Sequence, residues 1–191
     1  MPLSPELRAT FDVARAFEKA RVAYYLCGSM ASSAQGVPRA SADVDFVADL
    51  MPHHVRAWVA ALGPDFEVDE EMLREAIEHR RSLNIFDLRS ALKVDVFIAG
   101  FDSWDREQLK RARTGLITRQ DHAEVALPSP EDTVLAKLRW YRQGGEVSDR
   151  QWADILGVLQ VQVGRLDLTY MRRWAATIGV ADLLERALIA S

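Results

Sequence analysis

The chain has 191 residues, 49% of them hydrophobic and 27% charged, and a formal net charge of −4. That length allows one sizeable core or two small lobes sharing an interface, and the acidic balance argues against a surface coated for nonspecific nucleic-acid binding. No apolar run approaches the roughly 20 residues of a membrane-spanning helix, so no membrane partner is expected.

The opening MPLSPELRATFD lacks the basic-then-apolar order of a secretory signal, and a single cysteine, Cys27, fits a cytoplasmic location. Ser4-Pro5-Glu6 reads as a helix start, because serine caps free amides, proline tolerates the first turn and glutamate suits the positive end of the dipole. This helix is expected to run to about Lys19 with Leu7, Phe11, Ala14 and Phe17 inward. Arg21 to Leu26 reads as a buried strand ending at Gly28-Ser29, and Met30 to Gln35 as a short helix stopped by Gly36-Val37-Pro38. A second strand covers Asp43 to Ala48, and its alternation points Asp43 and Asp45 to one side while Val44 and Phe46 enter the core.

Pro52 starts a helix that buries Val55, Trp58, Val59 and Leu62 before Gly63-Pro64, and Phe66 to Val68 suits a short strand. A further helix opens at Asp69 or Glu70 and runs to about His79. Leu83 to Leu88 and Leu92 to Ile98 then read as a hairpin, which sets Asp95 inside the apolar strand LKVDVFI. A helix capped by Asp102 or Ser103 leads a basic segment with Arg106, Lys110, Arg111, Arg113 and Arg119; such a cluster is more often a solvated face than a nucleic-acid patch. Thr114 to Val125 is expected to be short strands or irregular chain. After Pro128-Ser129-Pro130-Glu131-Asp132 everything reads as helix: Glu131 to Arg142, Ser148 to Gln162, Asp167 to Ile178 and Ala181 to Ala190. The order is α+β, with a mixed part over 1–128 and a helical part over 129–191.

Three carboxylates stand out. Asp95 follows Asp45 by 50 residues in a strand of the same alternation, and on neighbouring strands Asp43, Asp45 and Asp95 would converge beside Gly28-Ser29. Such a cluster suits magnesium, which takes a few carboxylates and fills its shell with water and phosphate oxygens, and two such ions serve in-line phosphoryl displacement. Glycine at a strand exit lets phosphate approach the backbone, Ser29 can donate to it, and Arg39 matches phosphate geometry. Singly, each feature has a plainer use: a Gly-Ser turn, a chance Asp-x-Asp, a surface ion pair for Arg39. An unpaired carboxylate at Asp95 is harder to dismiss, because its burial is costly.

GSMASSAQGVPRASADVDFV followed by KVDVF resembles the nucleotidyltransferase superfamily that includes the catalytic domain of DNA polymerase beta. Gly36 to Asp45 resembles most its small bacterial branches, the AbiEii-like toxins and related nucleotidyltransferases, with one extra residue between Gly36 and Arg39. LPSPEDTVLAKLRWYR is similar to their Pro-Glu-Asp helix start with a lysine, here Lys137. SDRQWADI is similar to a later Arg/Lys-Asp-x-x-Asp element through Asp149 and Asp154, with Ser148 in the basic position and the two aspartates five residues apart. The resemblance implies a small mixed β-sheet flanked by helices with a C-terminal helical bundle. It implies two Mg2+ ions on Asp43, Asp45 and Asp95, with Asp95 helping to activate the attacking hydroxyl. It implies an NTP held by Gly28, Ser29 and Arg39, with Lys137 facing the nucleotide or lying at the surface. The acceptor is left open among tRNA or other RNA, protein and small molecules, with an antitoxin partner if the chain is a toxin. Two other readings stay on the page: a noncatalytic nucleotide-binding or interaction protein that keeps the fold, and a different two-metal phosphate enzyme.

Remaining residues carry less. His53-His54 lack a third ligand, His79 and His122 lack a recognisable context, and Cys27 suits a small core position. Trp140 and Tyr141, between Arg139 and Arg142, suit either base stacking or packing of the helical part, and packing is the commoner use.

Overall fold

A computed structural model describes residues 3–117 and 124–191, so Arg119 and His122 lie outside the described residues. Ser4 Oγ accepts from Leu7 N and opens α1 (Pro5–Lys19). The helix closes at Arg21, whose φ of 57° and the Val22 N to Phe17 O bond make a left-handed C-terminal cap. That cap consumes residues expected to be strand, so β1 is only Tyr24–Leu26. Then come α2 (Gly28–Gln35), β2 (Val44–Ala48), a 3-10 turn over Pro52–His54, α3 (Val55–Leu62), β3 (Phe66–Glu67) and α4 (Glu70–His79). In the 3-10 turn His54 Nδ1 accepts from Met51 N, so that ring serves as a local cap.

The hairpin is β4 (Ser82–Asp87) with β5 (Leu92–Ile98), and its turn is held by Asp87, which accepts from Arg89 N, Arg89 Nε and Ser90 Oγ. The sheet order is β1-β2-β5-β4-β3, mixed, with β2 and β5 the parallel pair. Alternation gives the sheet two different faces. Leu26, Val44, Phe46, Val94, Val96, Leu83 and Ile85 turn into a core shared with α1 and α3. There Phe17 stacks on Trp58 at 5.1 Å and meets Phe46 edge-on at 5.6 Å. Tyr25, Asp45, Val47, Asp95 and Phe97 belong to the opposite face.

After α5 (Ser103–Arg111), a separate two-stranded ribbon pairs β6 (Arg113–Leu116) with β7 (Glu124–Leu127). Four helices follow, α6 (Pro130–Gln143), α7 (Asp149–Val161), α8 (Leu168–Thr177) and α9 (Ala181–Ala190), around a second core of Leu135, Leu138, Ile155, Met171 and Leu184. Trp104 of α5 packs with these helices rather than with the sheet. The helical lobe is seated on α2 by backbone contact. A Cβ on Gly36 would lie 2.7 Å from Val158 N, so glycine there permits this approach of α2 to α7, and one on Gly157 would press on Val37 at 3.3 Å.

Much of the basic segment is structural. Arg106 pairs with Asp49 at 2.6 Å, and Arg111 pairs with Glu131 and Asp132 at 3.2 Å each while its guanidinium lies 4.0 Å from the centre of the Tyr170 ring. Asp132 also accepts from Tyr170 Oη at 2.6 Å. The Pro-Glu-Asp start of α6 therefore ties α5, α6 and α8 together.

Candidate active site

The second face of the sheet and the helical lobe enclose a cleft of about 880 Å³, lined by Gly28, Ser29, Arg39, Asp43, Asp45 and Lys137 among others. Six of the seven residues singled out for the site thus line one cavity. Asp95 is not in that lining, yet it is the register partner of Asp45 on the adjacent parallel strand. Asp43 lies one residue before β2 and is exposed. Among the described residues, no three His, Cys, Asp or Glu side chains stand together as a ready metal cage.

Gly28 and Ser29 belong to the first turn of α2 rather than to a loop before it. Gly28 has φ of 62°, and a Cβ there would overlap Asp45 Oδ2, so the carboxylate rests directly on the glycine backbone. Cys27 N donates to Asp45 O at 2.8 Å, which fixes the helix start against β2. Burial, then Asp95, then Asp43 push the Asp45 carboxyl up to about 6, with Lys137 and Lys93 pulling the other way. Burial and the same Asp45 charge push the Cys27 thiol up, which leaves it a poor nucleophile.

Lys93 Nζ donates to Asp95 Oδ2 at 2.8 Å, while Asp95 Oδ1 is buried and has no hydrogen-bond partner among the described residues. A buried carboxylate oxygen without a donor, opposite a carboxylate pressed upward by its neighbours, is a donor set that a hard divalent cation would satisfy. Asp45 and Asp95, with Asp43 at the strand mouth, are the residues to hold it.

Arg39 is engaged within the protein. Its Nε and Nη2 donate to Asp154 at 2.7 and 2.9 Å, and Nη2 also donates to Ser29 Oγ at 2.6 Å. Lys137, nearly buried, donates to the same Asp154 at 2.9 Å. One carboxylate from α7 thereby holds both cations expected to meet phosphate, and Arg39 in turn links it to Ser29 at the start of α2. Burial works to raise the Asp154 carboxyl, but the hydrogen bonds from Arg39 and Lys137 outweigh it and hold the group below the usual range.

Residues outside the sequence-derived site also contribute. Lys93 and Phe97 share the Asp95 face, and strand alternation two residues either side of Asp95 is the signal that points to them. Asp154 lies five residues after Asp149 in the SDRQWADI stretch; its sequence position alone does not reveal that it holds Arg39. Trp140 and Tyr141 part company: Tyr141 is buried in the lobe, whereas Trp140 is 52% exposed and lines the cleft.

No protein-family model matches the sequence, and a search of curated proteins finds no match. Solved structures do. An antigenic nucleotidyltransferase-like protein from Paracoccidioides brasiliensis is 19% identical, with all of this chain and 96% of that chain covered and a TM-score of 0.53. The antibiotic-resistance factor ANT(2'')-Ia is 12% identical, with 90% of this chain and 96% of that chain covered and a TM-score of 0.49. The chain shares the fold of that antigenic nucleotidyltransferase-like protein, an α+β arrangement with a mixed five-stranded sheet and flanking helices. Among the described residues no helix is long and apolar enough to cross a membrane.

Proposed function

We propose that this protein is a magnesium-dependent nucleotidyltransferase that moves a nucleoside monophosphate from an NTP to a hydroxyl acceptor and releases pyrophosphate. The observation that carries the reading is the pairing of Asp45 with Asp95 across β2 and β5, beside the Gly28 backbone at the start of α2. Magnesium bound there would neutralise phosphate charge and draw the reacting oxygens together. The chain's own residues supply the rest. The open amides of α2 and Ser29 Oγ receive the phosphate tail, with Arg39 and Lys137 adding positive charge. Asp95 accepts the proton as the acceptor oxygen bonds to the α-phosphorus and the bond to the pyrophosphate oxygen breaks. Acceptors of the proposed class are tRNA or other RNA, a protein side chain, or a small molecule. The resemblance to AbiEii-like proteins supports a toxin role with an antitoxin partner, acting in the cytoplasm.

A second reading has its own observation. The Lys93 ammonium on Asp95 stands where a cation is wanted, which favours a noncatalytic protein that binds a nucleotide and keeps the fold.

Incubation with each labelled NTP, magnesium and the three classes of acceptor separates the two. Transfer predicts pyrophosphate release by the wild type and a loss of about 100-fold or more in Asp45→Asn and Asp95→Asn. NTP binding with no release on any acceptor would favour the second reading.

A further inference from the structure

The cleft carries an aromatic pair that the phosphate chemistry does not use. Trp140 of α6 and Phe97 of β5 meet edge to face, with ring centroids 5.6 Å apart and planes at 62°. Both line the cleft. Phe97 steadies the indole from the sheet side, yet Trp140 stays 52% exposed; Trp58, Trp104 and Trp174 are all buried in the cores. A large apolar ring left exposed inside a charged cleft is a surface that a flat ligand group would cover.

The position of the pair fits one group in particular. Phe97 follows Asp95 by two residues on the same face, an offset of about 7 Å along the strand, and it lies in register between Val47 and Ser82. That is the side of the carboxylates away from the Lys93 ammonium, which precedes Asp95 by two residues. A nucleotide whose α-phosphate sits at Asp45 and Asp95 would need to span only its ribose to bring its base over these rings. Arg81 and Arg150 also line this cavity, and neither has an ion-pair partner among the described residues, so two guanidinium groups are available to the edges of a heterocycle.

We infer that Trp140, backed by Phe97, is the base-stacking platform of the nucleotide site. The inference rests on the nucleotidyl-transfer reading and specifies where its donor lies. Stacking is tolerant of base identity, so the platform alone gives affinity for a nucleobase and leaves the choice among bases to the edge contacts.

The test is calorimetric titration of the full chain in magnesium with each NTP and with inorganic tripolyphosphate, for wild type, Trp140→Phe and Trp140→Ala. Tripolyphosphate reports the phosphate and carboxylate site, and the preference for NTP over it reports the base. The expected wild type binds NTP tighter than tripolyphosphate by about tenfold or more; Trp140→Ala loses that preference with tripolyphosphate affinity unchanged, and Trp140→Phe keeps most of it. Equal affinity for both ligands in the wild type, or an undiminished preference in Trp140→Ala, overturns the platform alone. So does a variant weakened equally toward both, because Trp140 would then act on the lobe and not on a base. A wild type that binds neither ligand overturns the transfer reading and the platform with it.

Discussion

Asp154 accepts two hydrogen bonds from the Arg39 guanidinium, at 2.7 and 2.9 Å, and so joins the loop after α2 to α7. Lys137 of α6 completes the cluster on the same carboxylate. Removing the anion leaves two cations facing each other with little water around them, which is the costly way to break a partly buried ion pair. Asp154→Ala is expected to lower unfolding stability by about 2–3 kcal/mol, somewhat less than for a fully buried pair because Arg39 keeps some solvent contact. Urea unfolding monitored by circular dichroism measures it, and a loss under about 0.5 kcal/mol would show that the cluster does not hold the lobes together.

The same pair sets the acid limit. The Asp154 carboxyl is held below its ordinary 3.8, and so is that of Asp87, where burial is outweighed by hydrogen bonds from Arg89 and Ser90. For a carboxylate with a lowered folded pKa, the unfolded chain takes up protons first as pH falls, so the stabilisation is complete above pH 4 and disappears below it. Wild-type stability is expected to be level from pH 7 to 5 in this respect and to drop steeply between pH 4 and 2. Asp154→Asn should start lower and fall less steeply over that interval. Parallel curves for the two proteins would show that Asp154 does not titrate with folding.

Gly28 offers a sharper test of the strand-to-helix junction. Its φ of 62° is strained for any residue with a Cβ, and that atom would also overlap the Asp45 carboxylate. Gly28→Ala is expected to cost about 1–3 kcal/mol in thermal unfolding and to abolish the pyrophosphate release expected of the wild type, because the overlap displaces Asp45. Gly145, whose φ of 76° is similar but which has open space around it, is the control. Gly145→Ala should carry the backbone strain alone and keep activity.

The helices and the β4–β5 hairpin were legible because each is announced by local chemistry. Ser4 and Ser129 do cap α1 and α6, and the LKVDVFI alternation places Asp95 opposite Asp45. Strand length at Arg21 was not legible, since a left-handed arginine closing α1 looks in sequence like the start of a β run. Arg39 has by type the chemistry of a phosphate ligand. Its engagement by Asp154 depends on a contact 115 residues away, made possible by the glycine approach of α2 to α7, and no local pattern encodes that. Trp140 and Tyr141 show the same limit from the other side: adjacent on one helix, they differ in burial because α7 and α9 cover one face of α6 and the cleft leaves the other open.

Lys93 decides how the carboxylate pair is balanced. Its ammonium donates to Asp95 Oδ2 at 2.8 Å but is half exposed, so the pair is a weak one and a divalent ion arriving at Asp45 and Asp95 would compete with it. Replacing Lys93 by Met keeps the side chain's length and removes only the competitor. Magnesium affinity by calorimetry is expected to tighten about fivefold, the size of an exposed ion pair of roughly 1 kcal/mol. Without magnesium the variant should unfold slightly more readily, because Asp45 and Asp95 then face each other with one cation fewer nearby, and added magnesium should restore or exceed wild-type stability. If magnesium instead binds Lys93→Met no better than the wild type, the ammonium is not a competitor for the ion.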